Sequence, residues 1–211
     1  MPSILRARAQ LVSKVGGYLR LQPQKGEQMK EEVQELLAEQ LKDAYSAEKQ
    51  ALRCMQKTVR KASAPALRDG IQMHIEQTQV QIERIEQIME NLKLRPGRKV
   101  CEAMRGLVEE AQHEIEEHER GPILDLVIVA GMQRIEHYEI AAYGTDIALA
   151  RALGEQEAVG LLSETLEEEK QTDLKLTEVT EQHIMAQVLG DEPEPTAGGK
   201  SSTSKGRAKA A

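Results

Sequence analysis

Apolar residues recur at three- and four-residue spacing through most of the chain, the period of a helix with one buried face. Five such segments are separated by short breaks. The first, residues 30–62, carries Val33, Leu37, Leu41, Ala44, Ala51, Met55 and Val59. Ser63-Ala64-Pro65 closes it and opens the second, since proline suits a first helical turn. The second, residues 65–94, carries Leu67, Ile71, Thr78, Ile82, Ile85, Ile88 or Met89, and Leu92, until Arg95-Pro96-Gly97 breaks it. A shorter third, residues 100–120, carries Met104, Val108, Ala111 and Ile115 and stops before Gly121-Pro122. The fourth spans 123–153, with Gly154 as its C-terminal stop, and the fifth spans 155–189. The four long segments would each measure roughly 45 Å. Long helices with short connections pack as antiparallel neighbours. The pattern therefore predicts an all-α, antiparallel four-helix bundle with an additional shorter helix between the two helix pairs.

Composition supports helices. Phe and Trp are absent and there are four Tyr, so the core must be built from Leu, Ile, Val, Met and Ala. Charge divides the chain. Residues 1–28 hold five basic residues and one acid, and residues 191–211 hold four basic residues and three acids. The whole chain carries −7, which leaves −12 on residues 29–190. This predicts a basic flexible arm over 1–28, a helical domain over 29–190 and a disordered low-complexity tail over 191–211. An acidic domain attracts cations and repels nucleic acid, so only the tails could touch an anionic partner. The longest apolar run, ILDLVIVAGM (123–132), contains Asp125 and is too short to cross a bilayer, so no membrane partner is expected. Cys54 and Cys101 have no metal or redox spacing and read as reduced thiols of a cytoplasmic protein. No phosphate loop, nucleophile elbow or zinc spacing is present.

The candidate chemistry lies where each long stripe is interrupted. Glu48 fills the missing place in the first segment. His74 does so in the second, with Gln77 three residues on. Glu136 breaks the fourth, followed by His137 and Glu139. Glu169 and Asp173 break the fifth, although the run Glu167-Glu168-Glu169 leaves the inward member undecided. All the interruptions fall near mid-helix, and in an antiparallel bundle mid-helix positions meet at one level. Buried acids without compensation would cost several kcal/mol each, so protons or cations must answer them. A Glu, Asp and His cluster suits iron or manganese. Ferritin-like dinuclear proteins use one Glu from each of two helices and a Glu-x-x-His pair from each of the others. Here the second segment offers His74-x-x-Gln77, the fourth Glu136-x-x-Glu139, and the fifth no histidine. His137 could be a ligand or could orient one. Tyr45 and Tyr143 lie one turn from Glu48 and Glu139; either could shuttle an electron, bond a ligand or simply pack.

The segments AYSAEKQ (44–50), QTQVQIERIEQ (77–87), AMRGLVEEA (103–111), RIEHYEIAAYGT (134–145) and LLSETLEEEKQTDLKLT (161–177) resemble the YciE/YciF family of bacterial stress-associated proteins. The resemblance covers residues 30–187 in order and includes neither tail. It implies a ferritin-like bundle, a homodimer and a dinuclear iron site of ferroxidase type. The expected activity is then oxidation of Fe(II) by O₂ or peroxide, with manganese as the alternative metal. Two other functions stay open. One is a metal-free protective or structural bundle whose acids share protons; the other is an interaction module using the basic tails. For the dimer surface the third segment is expected, because Leu107 and Val108 form an apolar set that a four-helix core does not need.

Overall fold

The computed structural model describes residues 25–190; the expected arm and tail lie largely or wholly outside this span. Every element within it is helical: α1 (Lys25–Thr58), α2 (Pro65–Asn91), α3 (Glu102–Glu116), α4 (Pro122–Leu153), α5 (Gln156–Val179), a π-helical turn (Thr180–Ile184) and α6 (Met185–Leu189). The chain expected to form one fifth helix to residue 189 thus contains a wider turn before its last segment. Helix α1 starts five residues before the expected segment and stops four before its end.

Side-chain contacts fix the topology. Tyr45 reaches Glu86, Tyr143 reaches Glu48, Gln81 reaches Glu168, and Gln133 reaches Asp173. Met55, Leu67, Leu124 and Leu176 meet in one apolar cluster and Leu41, Ile88, Ile147 and Leu162 in another, so residue numbers fall on one partner as they rise on the other and α1/α2, α1/α4, α2/α5 and α4/α5 are all antiparallel. Helix α3 carries the chain back along the bundle. It starts beside the middle of α1, where Cys101 N donates to Ser46 Oγ at 3.0 Å, and packs against α1 and α4. Gly131 permits the α3–α4 approach, since a Cβ there would stand 3.0 Å from the Ala111 Cβ.

The stops are specific. Gly154 takes the left-handed conformation (φ 83°) that ends α4, a position where glycine avoids the Cβ penalty. The start of α2 is capped from elsewhere. Ser63 N and Ala64 N donate to the two carboxylate oxygens of the buried Asp125 in the first turn of α4, at 2.7 and 2.8 Å. The Ser63 hydroxyl, a natural capping group, makes no hydrogen bond.

The core is divided. One apolar cluster includes Met55, Leu67, Ile71, Leu124, Ile128 and Leu176. A second, toward the other end, includes Leu37, Leu41, Ile85, Ile88, Ile147 and Leu162. The polar residues that interrupt the stripes lie between them along every long helix. A third cluster joins α1, α3 and α4 through Ala47, Ala51, Met104 and Ile135, with Leu107 and Val108 packed on it. Those two residues are therefore partly used by the chain itself, because α3 lies against two helices rather than standing apart.

Candidate metal centre

Between the two main clusters five side chains converge: Glu48 from α1, His74 from α2, Glu136 and Glu139 from α4, and Glu169 from α5. None is more than 3% exposed. Each occupies the inward face of its helix for the reason that leucine does elsewhere. Three- and four-residue steps return to the same side, so Glu136, Glu139 and Tyr143 share one face. On α5 the same rule selects Glu169, in phase with the buried Leu162, Thr165 and Leu176. Glu167 points out to solvent, and Glu168 turns sideways to Arg84.

His74 is central. Its Nε2 lies 3.2 Å from Glu136 Oε1 and 3.5 Å from Glu169 Oε2. Its Nδ1 lies 3.2 Å from Thr172 Oγ1 and 3.5 Å from Gln77 Oε1. Burial disfavours the imidazolium, but the Glu136 carboxylate, and after it Glu48, outweigh burial and hold the pKa above its usual range. Tyr143, completely buried, donates a short hydrogen bond to Glu48 Oε1. Burial raises Glu48 to about 7 against the opposing pull of that bond and of His74. Glu139 and Glu169 are pushed well above the carboxylate range, first by burial and then by neighbouring acids.

Four carboxylate oxygens in this layer have no hydrogen-bond partner: Glu136 Oε2, Glu139 Oε1, and both of Glu169. Buried polar atoms are normally paired, so a cluster of orphans requires protons or a ligand. The donor set fits a divalent metal. His74, Glu136 and Glu169 each offer a ligand atom within 4.8 Å of the others. Nitrogen and oxygen donors of this kind suit iron or manganese. The Nδ1 contacts of His74 leave Nε2 facing the carboxylates, as a ligating histidine needs.

Other expected residues fall elsewhere. Asp173 lies one turn beyond Glu169, at the edge of the inward face, with its side chain partly exposed. It accepts from Gln133 Nε2 at 3.0 Å and lies 3.3 Å from His137 Nε2. His137 is 69% exposed, because one helical step rotates it about 100° from Glu136. It neither faces the layer nor orients a residue in it. Tyr45 points to α2 and donates to Glu86 at 2.7 Å, so it too stands apart from the layer. Gln77 flanks His74, as a supporting residue would.

Sequence reasoning missed Gln81, Arg84 and Thr165 beside the centre, where they meet Glu168. Gln81 is fully buried and donates to Glu168 Oε2 at 3.0 Å. Arg84 holds Glu168 with two bonds of 2.6 and 2.9 Å and reaches Thr165 at 3.3 Å. A stripe drawn through Ile82 hides Gln81, while Thr165 is compatible with either a buried or an exposed position.

Residues 32–189 match the family described as a domain of unknown function, DUF892. The chain is 46% identical over 150 residues to protein YciF of Escherichia coli K12, covering 70% of this chain and 89% of that one. The crystal structure of the E. coli stress protein YciF matches with a TM-score of 0.69 at 43% identity, covering 74% of this chain and 97% of the other. YcfI from Rhodopseudomonas palustris, provisionally described as a structural protein, matches with a TM-score of 0.67 at 40% identity. The coverage is 69% of this chain and 92% of that one. The layer of acids around His74 thus sits in a helical bundle shared with these proteins, and the chain belongs to the YciE/YciF family, DUF892.

Proposed function

We propose that the polar layer is a dinuclear carboxylate site for iron, with manganese as the alternative, and that the protein oxidises Fe(II) with O₂ or peroxide in a stress-related role. The carrying observation is the set of four buried carboxylate oxygens without a hydrogen bond around His74 at the meeting of four helices. His74, Glu136 and Glu169 would hold one ion; Glu48 and Glu139 would complete a second position. A redox-active ion bound there supplies one-electron chemistry that these side chains cannot perform. The protein's own part is to supply negative charge, keep water out with the apolar clusters on either side, and fix donor orientation. Thr172 and Gln77 steady the His74 ring, and Tyr143 holds Glu48. The homodimer implied by the family belongs to the same reading.

The test is metal content. Protein purified without chelators or affinity tags should carry about two iron or manganese ions per chain by mass spectrometry, as a dinuclear carboxylate site requires. Glu136→Ala or Glu48→Ala should lose them. No bound metal, even after anaerobic Fe(II) loading, would sink the proposal.

A second reading has its own support. Glu48 is already bonded by Tyr143, and α5 offers Thr172 where many dinuclear sites have histidine. A metal-free structural or protective bundle would neutralise the layer with shared protons. Its melting temperature should then be unchanged by chelator and by added Fe(II).

A further inference from the structure

A groove opens between α2 and α5 close to the π-helical turn. Its outer part is a cavity of about 350 Å³ bordered by Asp69, Gly70, Lys175, Glu178, Gln182 and His183. It continues into a narrow throat of about 20 Å³. That volume holds a single molecule near the size of water, since about 10–15 Å³ suffices for one. The throat is walled by Leu67, Leu176, Met73 and Met132, while Gln77 and Thr172 supply polar groups. Those two residues are the ones that flank His74 Nδ1. Lys175 leans across the neck, its Nζ 3.8 Å from Met73 Sδ. An ammonium there repels metal ions but not a neutral molecule. The walls are apolar, yet an amide and a hydroxyl can receive a hydrogen-bonding guest at the inner surface.

We propose that this groove admits hydrogen peroxide to the ring edge of His74, with Met73 and Met132 beside its path. As a supply route to a metal centre the groove rests on the reading above; as a peroxide-accessible cavity it does not. Methionine oxidation reports access directly. The peroxide O–O bond breaks, one oxygen bonds to the thioether sulfur, and water leaves; sulfur is oxidised by two electrons and peroxide reduced.

The full chain, stripped of metal with a chelator, would be treated with hydrogen peroxide and mapped by peptide mass spectrometry. Met132 is 6% exposed and Met73 40%. Met132 should nevertheless oxidise within about threefold of Met73, and on the order of tenfold faster than the buried Met89 and Met104. Met132 also borders a smaller cavity under α3, so a plugged variant identifies the route. A Cβ at Gly70 meets nothing within 4 Å, so the first atom of a leucine side chain finds open space there, at the rim of the groove. Gly70→Leu should slow Met132 oxidation about tenfold while exposed Met29 is unaffected. Gly70→Ala should leave the rate near that of the parent. Continued protection of Met89 and Met104 shows that both variants are folded. Met132 oxidation as slow as that of Met89, or equally fast in Gly70→Leu, would overturn the proposal. Neither result depends on whether the parent protein binds metal.

Discussion

Asp146 shows how much a single side chain can set. It is fully buried on α4, and neither carboxylate oxygen has a hydrogen-bond partner. Burial, and then the charge of Asp43, raise its pKa from 3.8 to about 7. The folded state therefore keeps a proton that the unfolded chain has released between about pH 4 and pH 7. Stability from this group is present at low pH and is lost as pH rises through 7. Raised Glu48 and His74 slope in the same direction. Metal-free protein should consequently resist urea better at pH 5 than at pH 8. Asp146→Asn keeps the shape but cannot ionise, so it should gain on the order of 2 kcal/mol over the parent at pH 8 and little at pH 4.5. An equal effect at both pH values would show that Asp146 is not titrating in the fold. The burial of Glu48, His74 and Glu136 was legible because each occupies a gap in an apolar stripe. Asp146 and Gln81 were not, since a neighbouring Ile147 or Ile82 supplies an apolar residue for the same turn. Asp173 was misplaced because a four-residue step from Glu169 overshoots a full turn by about 40°, and at a helix edge that is enough to carry it out of the layer.

Among the elements, the clearest dependence is of one helix on another. The first turn of α2 has no capping side chain of its own, and Asp125 in α4 binds the two backbone N–H groups just before it. These bonds join the turn of the first helical hairpin, between α1 and α2, to the start of α4. Asp125→Ala leaves two donors unpaired and should cost about 2–4 kcal/mol in urea unfolding. Asp125→Asn, which can accept at only one oxygen, should fall between. A loss under about 0.5 kcal/mol would mean that water replaces the carboxylate. The number and order of the main helices were readable from periodicity and from Pro65, Gly121-Pro122 and Gly154. The remote cap was not, because it joins residues 61 and 62 positions apart and nothing local marks Asp125 as more than a polar residue in an apolar run. The π-helical turn was equally hidden, since a one-residue widening leaves the apolar spacing of Ile184 and Val188 intact.

For the molecule as a whole, charge and packing meet in the central layer. Metal binding must displace protons from His74 and from the raised carboxylates, so affinity should rise with pH. Isothermal titration with Mn(II) at pH 6 and pH 8 should show tighter binding at pH 8, with proton release detected by comparing buffers. Binding independent of pH would place the ion on groups already ionised. The layer also separates the bundle's two large apolar clusters, and this bears on how the protein opens. Without an ion, neither cluster is reinforced through the middle, and each can loosen as its own cooperative unit. Amide hydrogen exchange should then reveal distinct opening energies for helix segments on the two sides of His74. With metal held by residues of all four long helices, the two units should exchange together at one slower rate, turning a fault line into the seam that makes unfolding a single event.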